Sequence, residues 1–403
     1  MTAAPGRGDR AAYLAEVCGL LWPGPARVSA SGNERDAASE FIVLPAMSRP
    51  RLVVPAGRRA AAAAVRRYGE PGSVRAWLAV RALSLGLGSG VGGVVLRDRL
   101  RIQVPAGAPT IETYLRDQLG RDVSVSMHLG AARANRKPVL QLLTGDGETV
   151  GFAKIGVSPL TSSLVQAERD ALTMLSSAAV TRVEVPRVLH FGSWRGLTVM
   201  VLSPLPVWQR RAPMPSGRLG LAMREVAGIA GISRGPLCTG AYWESLDARI
   251  AAADDTRDSS DLREALDAVR GKAGDAVLSF GAWHGDWTPW NMASTRSGLL
   301  VWDWERFTAG VPLGFDVLHH WLQVQVISRK RDPRLAAGDC VERAPALLAP
   351  LEIGSGEARL TALMYVADLA ARYLADRQAA AGARLGVPGN WLIPALADRS
   401  ARL

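Results

Sequence analysis

Residues 283–291 read Trp283-His284-Gly285-Asp286-Trp287-Thr288-Pro289-Trp290-Asn291, and twelve positions later Asp303 stands inside Val301-Trp302-Asp303-Trp304-Glu305. Phosphoryl transfer asks little covalent chemistry of a protein. It needs one carboxylate to accept or orient the acceptor hydroxyl, and oxygen ligands that hold a divalent cation against nucleotide phosphates. Asp286 suits the first task. Asn291, five residues on, suits a neutral metal ligand reached by a short loop, and Asp303, at the end of an apolar strand over 299–302, suits the charged one. His284 would brace the loop and Gly285 would permit its tight bend. His-Gly-Asp alone recurs by chance. The added Asn and the strand-borne Asp-x-Glu outweigh the plain alternative of loop and capping residues.

The sequence around this stretch predicts an ordered pair of regions. After residue 121 come alternating segments over 123–129, 139–143 and 149–155, with Asp146-Gly147 as a hairpin turn. Thr161, Ser162 and Ser163 offer N-caps for a helix running to about 176. A further hairpin, 188–194 with 197–202, turns at Arg195-Gly196, and after Pro206 the chain reads as mostly helical. Three strands, a helix, two strands, a linker and then helices is the order of the small and large lobes of a kinase-like fold. The expected class is therefore α+β and bilobal: a β-rich N-lobe over 121–205 and a helical C-lobe over 206–403. A small α/β region over 1–120 precedes them, with helices at 11–21, 58–68, 73–83 and 111–119 and strands at 40–44, 51–55 and 94–104.

His284-Gly285-Asp286, with Asn291 after it and an Asp-Trp-Glu strand beyond, resembles the aminoglycoside phosphotransferase and choline kinase superfamily, whose members are related to protein kinases. The resemblance implies an ATP- and Mg²⁺-dependent small-molecule kinase. Asp286 would be the catalytic residue with His284 beside it, and Asn291 and Asp303 would be the metal ligands. Asp316, in Pro312-Leu313-Gly314-Phe315-Asp316, resembles the later Asp of that superfamily, which starts a helix and supports the loop. Upstream, Lys154 is one of only four lysines against 44 arginines, so its presence on a strand is informative. By resemblance it would contact the nucleotide phosphates, with Glu168 on the next helix as its carboxylate partner. The phosphate-covering loop, 129–138, offers only Gly130, although Arg133, Arg136 and Lys137 could touch phosphate. The base would meet backbone groups around Ser203 and Leu205 in the linker. A richer glycine run at 88–95 follows a helix-like segment rather than a strand and predicts a flexible turn, not a nucleotide loop.

Six of the twelve tryptophans fall within 283–321. Trp283, Trp302 and Trp321 read as core, whereas Trp287, Trp290 and Glu305 are candidates to meet the acceptor, since an indole can stack on a sugar or attract a cation. Polycationic acceptors call for many carboxylates. The region 205–260 shows only the cluster Asp254, Asp255 and Asp258, which favours a neutral or singly charged sugar, amino sugar or related alcohol over an aminoglycoside.

Bulk properties exclude other classes. With 48% hydrophobic and 21% charged residues the chain reads as globular, not disordered. No apolar run reaches the length of a membrane span. MTAAPGRGDR carries no apolar segment of a signal peptide, so a cytoplasmic protein is expected. Cys18, Cys238 and Cys340 lack metal spacing. Residues 1–137 carry 20 Lys+Arg against 10 Asp+Glu, and the remaining 266 carry 28 against 27. Because these arginines are scattered and not interleaved with aromatics, they predict a solvated basic surface rather than a nucleic-acid site. The second reading is a catalytically silent, pseudokinase-like nucleotide-binding module acting through partners, and the glycine-poor loop is its support. Oligomeric state is not encoded in any legible feature.

Overall fold

A computed structural model of the chain describes residues 7–29, 39–68, 74–131, 133–178, 180–207, 209–383 and 385–402. Ser73, expected to open a helix, lies outside them. The described residues form two units with an α+β composition. The first comprises residues 1–132, 136–165 and 187–204, the second residues 133–135, 166–186 and 205–403.

The first unit is built on a sheet whose strand period is plainest in one member. In β4 (Arg99–Gln103) Leu100 and Ile102 are buried while Arg99, Arg101 and Gln103 are not, which is the two-residue period of a strand. Before it come β1 (Arg27–Ser29), β2 (Ser39–Leu44) and β3 (Leu52–Pro55). After it come β5 (Ser124–His128), β6 (Val139–Leu143) and β7 (Thr149–Gly156). β8 (Val183–Glu184) belongs to the second unit, while β9 (Val188–Trp194) and β10 (Leu197–Leu202) return to the first. The order β1-β4-β2-β3-β5-β6-β7-β10-β9 makes one antiparallel sheet. Leu52 pairs with His128 and Val53 with Met127, so the ladder runs unbroken across residue 120. Both faces are covered. Tyr13, Leu14 and Val17 of helix Arg7–Leu21 pack with Ile111 and Leu115 of helix Ile111–Leu119 against Leu140, Ala153 and Val199. Ala60–Val65 of helix Arg58–Tyr68 packs with Leu87 on Ile42, Val54 and Leu143.

Three local expectations change. The glycine run is helical, because helix Val74–Ser89 extends into it and a short helix Val91–Val95 follows left-handed Gly90 (φ 90°). The glycines allow that crossing, since a Cβ on Gly92 would press on the Gly86–Leu87 backbone. The strand expected at 94–104 therefore begins only at Arg99. The helix expected from residue 161 begins at Pro159, and its cap is Ser158, whose Oγ accepts from the Thr161 N–H at 3.2 Å while Thr161 Oγ1 accepts from the Ser158 N–H at 2.8 Å.

The second unit is mostly helical. Helix Ser355–Ala375 is buried along most of its length and from every side, from Leu360 to Ala371, which marks it as the central helix. Helices Ala241–Ala251, Arg257–Ala273, Pro333–Leu348 and Leu392–Ser400 surround it. Two small sheets accompany them: β11 (Ser233–Pro236), β12 (Val277–Trp283) and β15 (Thr308–Pro312) in one, and β13 (Met292–Ser294), β14 (Leu299–Val301) and β8 in the other. No helix of the described residues is long and apolar enough to cross a membrane.

The unbroken ladder makes a prediction. A chain beginning at Arg121 would expose β5 as an open edge and strip Leu140, Ala153 and Val199 of their cover. It should be recovered as aggregate or as unfolded protein by size exclusion and circular dichroism; a soluble monomer with an intact far-ultraviolet spectrum would contradict the shared core.

Candidate active site

β12 carries the chain to Trp283 and then into a loop gripped from three sides. The Asp316 carboxylate, in the first turn of helix Phe315–Gln323, accepts the His284 N–H at 2.7 Å and the Gly285 N–H at 3.3 Å. The Arg372 guanidinium donates to the Gly285 carbonyl at 2.6 Å. Gly285 is left-handed (φ 85°), and a Cβ there would overlap the Arg306 carbonyl, so no other residue fits. Burial pushes the Asp316 carboxyl up to about 7, opposed by the two backbone donors and by Arg372.

His284 ties this loop to the next. Its Nδ1 accepts the Asp286 N–H at 3.1 Å, so the ring proton sits on Nε2, which donates to the Trp302 carbonyl at 3.1 Å. Burial lowers its pKa to about 4 and keeps the ring neutral. Both ring nitrogens are thus engaged within the protein. The Trp302 N–H in turn donates to the Asn291 carbonyl at 3.1 Å.

Asp286 stands at the exposed side of this framework, with its side chain 34% accessible. Asn291 Nδ2 donates to Asp286 Oδ2 at 2.9 Å and to its carbonyl at 3.0 Å, so the amide is oriented with Oδ1 as its remaining polar atom. His319 Nε2 lies 3.0 Å from Asp286 Oδ1, and His319 Nδ1 lies 2.9 Å from the Tyr365 hydroxyl. The sequence reading passed over His319, Tyr365 and Arg372. The one signal for His319 was its spacing: three residues after Asp316 on one helix, it shares a face with the residue that holds the loop.

Asp303 follows β14 with φ 72°, an uncommon conformation for a residue with a side chain. A carboxylate oxygen from each of Glu168, Asp303 and Glu305 lies within 4.8 Å of the others. Glu168 also accepts the Trp304 N–H at 3.2 Å, and Glu305 accepts from Asn135 Nδ2 at 3.2 Å. Clustered hard oxygens suit Mg²⁺ or Ca²⁺. Glu305, expected at the acceptor, is buried beside Asp303. Trp287 is corrected likewise: it is wholly buried against His284 and Trp304 and has no surface to offer an acceptor. Trp290 remains 43% exposed. Trp283 is core, packed edge-on against Phe315.

In the first unit Lys154 lies mid-sheet on β7, opposite Val139 and Met200, and is 8% exposed. Gly130 follows β5, and a Cβ there would meet nothing, so the position does not require glycine. Arg136 covers the ring of Tyr13. Ser203 exchanges hydrogen bonds with Arg187: its N–H donates to the Arg187 carbonyl at 2.8 Å and its Oγ accepts the Arg187 N–H at 2.9 Å. In the second unit Leu205 packs with Ala293 and Leu300.

A family model described as the phosphotransferase enzyme family matches residues 138–351, more than half of the chain. The chain is also similar to solved structures. One is an aminoglycoside phosphotransferase, APH(4)-Ia, in complex with ADP and hygromycin B, at 17% identity and a TM-score of 0.47, covering 72% of this chain and 99% of that one. Another is the choline kinase LicA from Streptococcus pneumoniae, at 13% identity and a TM-score of 0.47, covering 73% and 99%. A third is APH(2″)-IIIa with GDP and kanamycin, at 13% identity and a TM-score of 0.45, covering 72% and 98%. A sequence comparison with curated proteins finds no match.

Two of the buried titrating groups, His284 and Asp316, predict opposite pH responses. For His284, depressed to about 4 from an unfolded value near 6.5, the unfolded chain takes up the proton first. Its stabilising contribution is present above pH 6.5 and is lost as pH falls through 4. For Asp316, raised to about 7, the folded chain takes up the proton first, and the associated stability is lost as pH rises through 7. Because these oppose each other, the difference between wild type and His284→Asn is the useful quantity. The wild-type advantage in urea unfolding should shrink by on the order of 3 kcal/mol between pH 6.5 and pH 4. A constant difference would mean that His284 is not held neutral.

Proposed function

The chain belongs to the phosphotransferase enzyme family, and we propose that it transfers the γ-phosphate of ATP, with Mg²⁺, to a hydroxyl group of a small molecule such as a sugar, amino sugar, aminoglycoside or related metabolite. The observation that carries this reading is the pairing of a partly exposed, rigidly held Asp286 with an oxygen cluster on the next loop, the two loops being joined through His284 and Asn291. Asp286 would align the acceptor hydroxyl and take its proton. Asp303 with Asn291 Oδ1, and Glu305 beside them, would hold the cation, which would draw negative charge from the phosphates. Lys154 is assigned to the nucleotide phosphates, Glu168 to its support by resemblance, and Gly130, Ser203 and Leu205 to the surroundings of the nucleotide.

The acidic residues at 254–258 support a neutral or singly charged acceptor. Asp254 pairs with Arg377 at 2.8 Å, Asp255 with Arg263 at 3.7 Å, and Asp258 accepts the Gly389 N–H at 3.1 Å. Each of these carboxylates thus has a partner within the protein. The silent-module reading keeps one support, the glycine-poor loop after β5.

The test offers wild type and Asp286→Asn Mg-ATP or Mg-GTP with panels of sugars, amino sugars and aminoglycosides. Wild type should transfer phosphate, and EDTA should abolish it. Asp286→Asn should lower kcat by about 10²–10⁴-fold while retaining nucleotide binding. Full transfer by Asp286→Asn would remove Asp286 from the reaction, and nucleotide binding without transfer to any acceptor would favour the silent module.

A further inference from the structure

We propose that His319, backed by Tyr365, is a positioning residue that fixes the rotation of the Asp286 carboxylate for phosphate transfer; this rests on the reading of Asp286 as the group that meets the acceptor hydroxyl. An ionised carboxylate only accepts hydrogen bonds, so at 3.0 Å the proton between the two side chains belongs to His319 Nε2. His319 Nδ1 then presents a lone pair and needs a donor. The Tyr365 hydroxyl, at 2.9 Å, supplies it. The buried sequence Tyr365 O–H to Nδ1, then Nε2–H to Asp286 Oδ1, therefore has one consistent direction.

The other carboxylate oxygen is held by Asn291 at 2.9 Å. With one donor on each oxygen the carboxylate plane is set, and each oxygen still keeps a lone pair for an acceptor hydroxyl. Without the His319 donor, only Asn291 would restrain a torsion that is intrinsically broad for aspartate. The histidine is itself immobilised: Trp283 and Tyr365 stand edge-on to its ring at 86° and 83°. A core histidine serving only to fill space needs neither the directed donor to Asp286 nor a donor behind it.

Two measurements on the full chain test the proposal. Ring-nitrogen NMR of ¹⁵N-labelled protein should show His319 as the Nε2–H tautomer in wild type, and a mixture of tautomers in Tyr365→Phe. A wild-type Nδ1–H tautomer would overturn the proposal, because it would turn a lone pair towards the carboxylate. The second measurement is ADP formation from Mg-ATP with D-glucosamine as acceptor and with water alone. His319→Leu should lower kcat about 10- to 100-fold with KM for Mg-ATP within about twofold. His319→Gln, whose amide can place an N–H near the same point, should recover most of the loss, and Tyr365→Phe should fall between. Near-ultraviolet circular dichroism checks that each variant is folded. A folded His319→Leu with unchanged kcat overturns the proposal, as does His319→Gln being as slow as His319→Leu, which would indicate packing. Failure of the underlying reading looks different: Asp286→Asn would keep full transfer while the nitrogen spectra stayed as expected.

Discussion

The Asp316 carboxylate, accepting the backbone N–H groups of His284 and Gly285, is the interaction on which the site depends. A loop at the end of a strand has donors that neither sheet nor helix satisfies, and leaving such groups buried and unpaired costs about 1–3 kcal/mol each. Asp316 answers two of them from one side chain and does so from the first turn of a helix, where a negative charge is favoured. Once the backbone at 284 and 285 is fixed, the His284 ring can reach the Trp302 carbonyl, Asp286 can face outward, and Asn291 can fold back onto it. The same helix then supplies His319 one turn later. One carboxylate thus organises a loop, and the helix whose first turn it occupies delivers the next contact.

The chemistry-bearing residues of this loop were legible in the sequence because their types are few and their spacing is short. Asp286, Asn291, Asp303 and Asp316 could be read without coordinates. What could not be read was partnership across long separations. Tyr365 lies 46 residues after His319, and Arg372 lies 87 after Gly285, so neither shows a local pattern. Tryptophans misled for a related reason. Trp287 and Trp290 look equivalent in the loop, yet one is sealed beneath it and the other faces out, a distinction made by packing with His284 and Trp304.

The α+β order was legible from periodicity, and the strands of 121–205 fall close to where alternation places them. Less legible was β13, whose three residues are too few to display a period, whereas β14 falls within the apolar strand expected over 299–302. The glycine run at 88–95 failed as a turn because glycine was read for its freedom. Here its small size matters more, allowing two helical segments to approach.

The pairing of Val53 with Met127 has a consequence for how this sheet avoids its own kind. By adding β3, β2, β4 and β1 beyond β5, the chain turns what would be an open five-residue rim into an interior strand. Among the described residues the new rim is β1, three residues led by Arg27. A short, charged rim offers a poorer template to a neighbouring strand than β5 would, so the added strands change the character of the sheet's edge as well as its place.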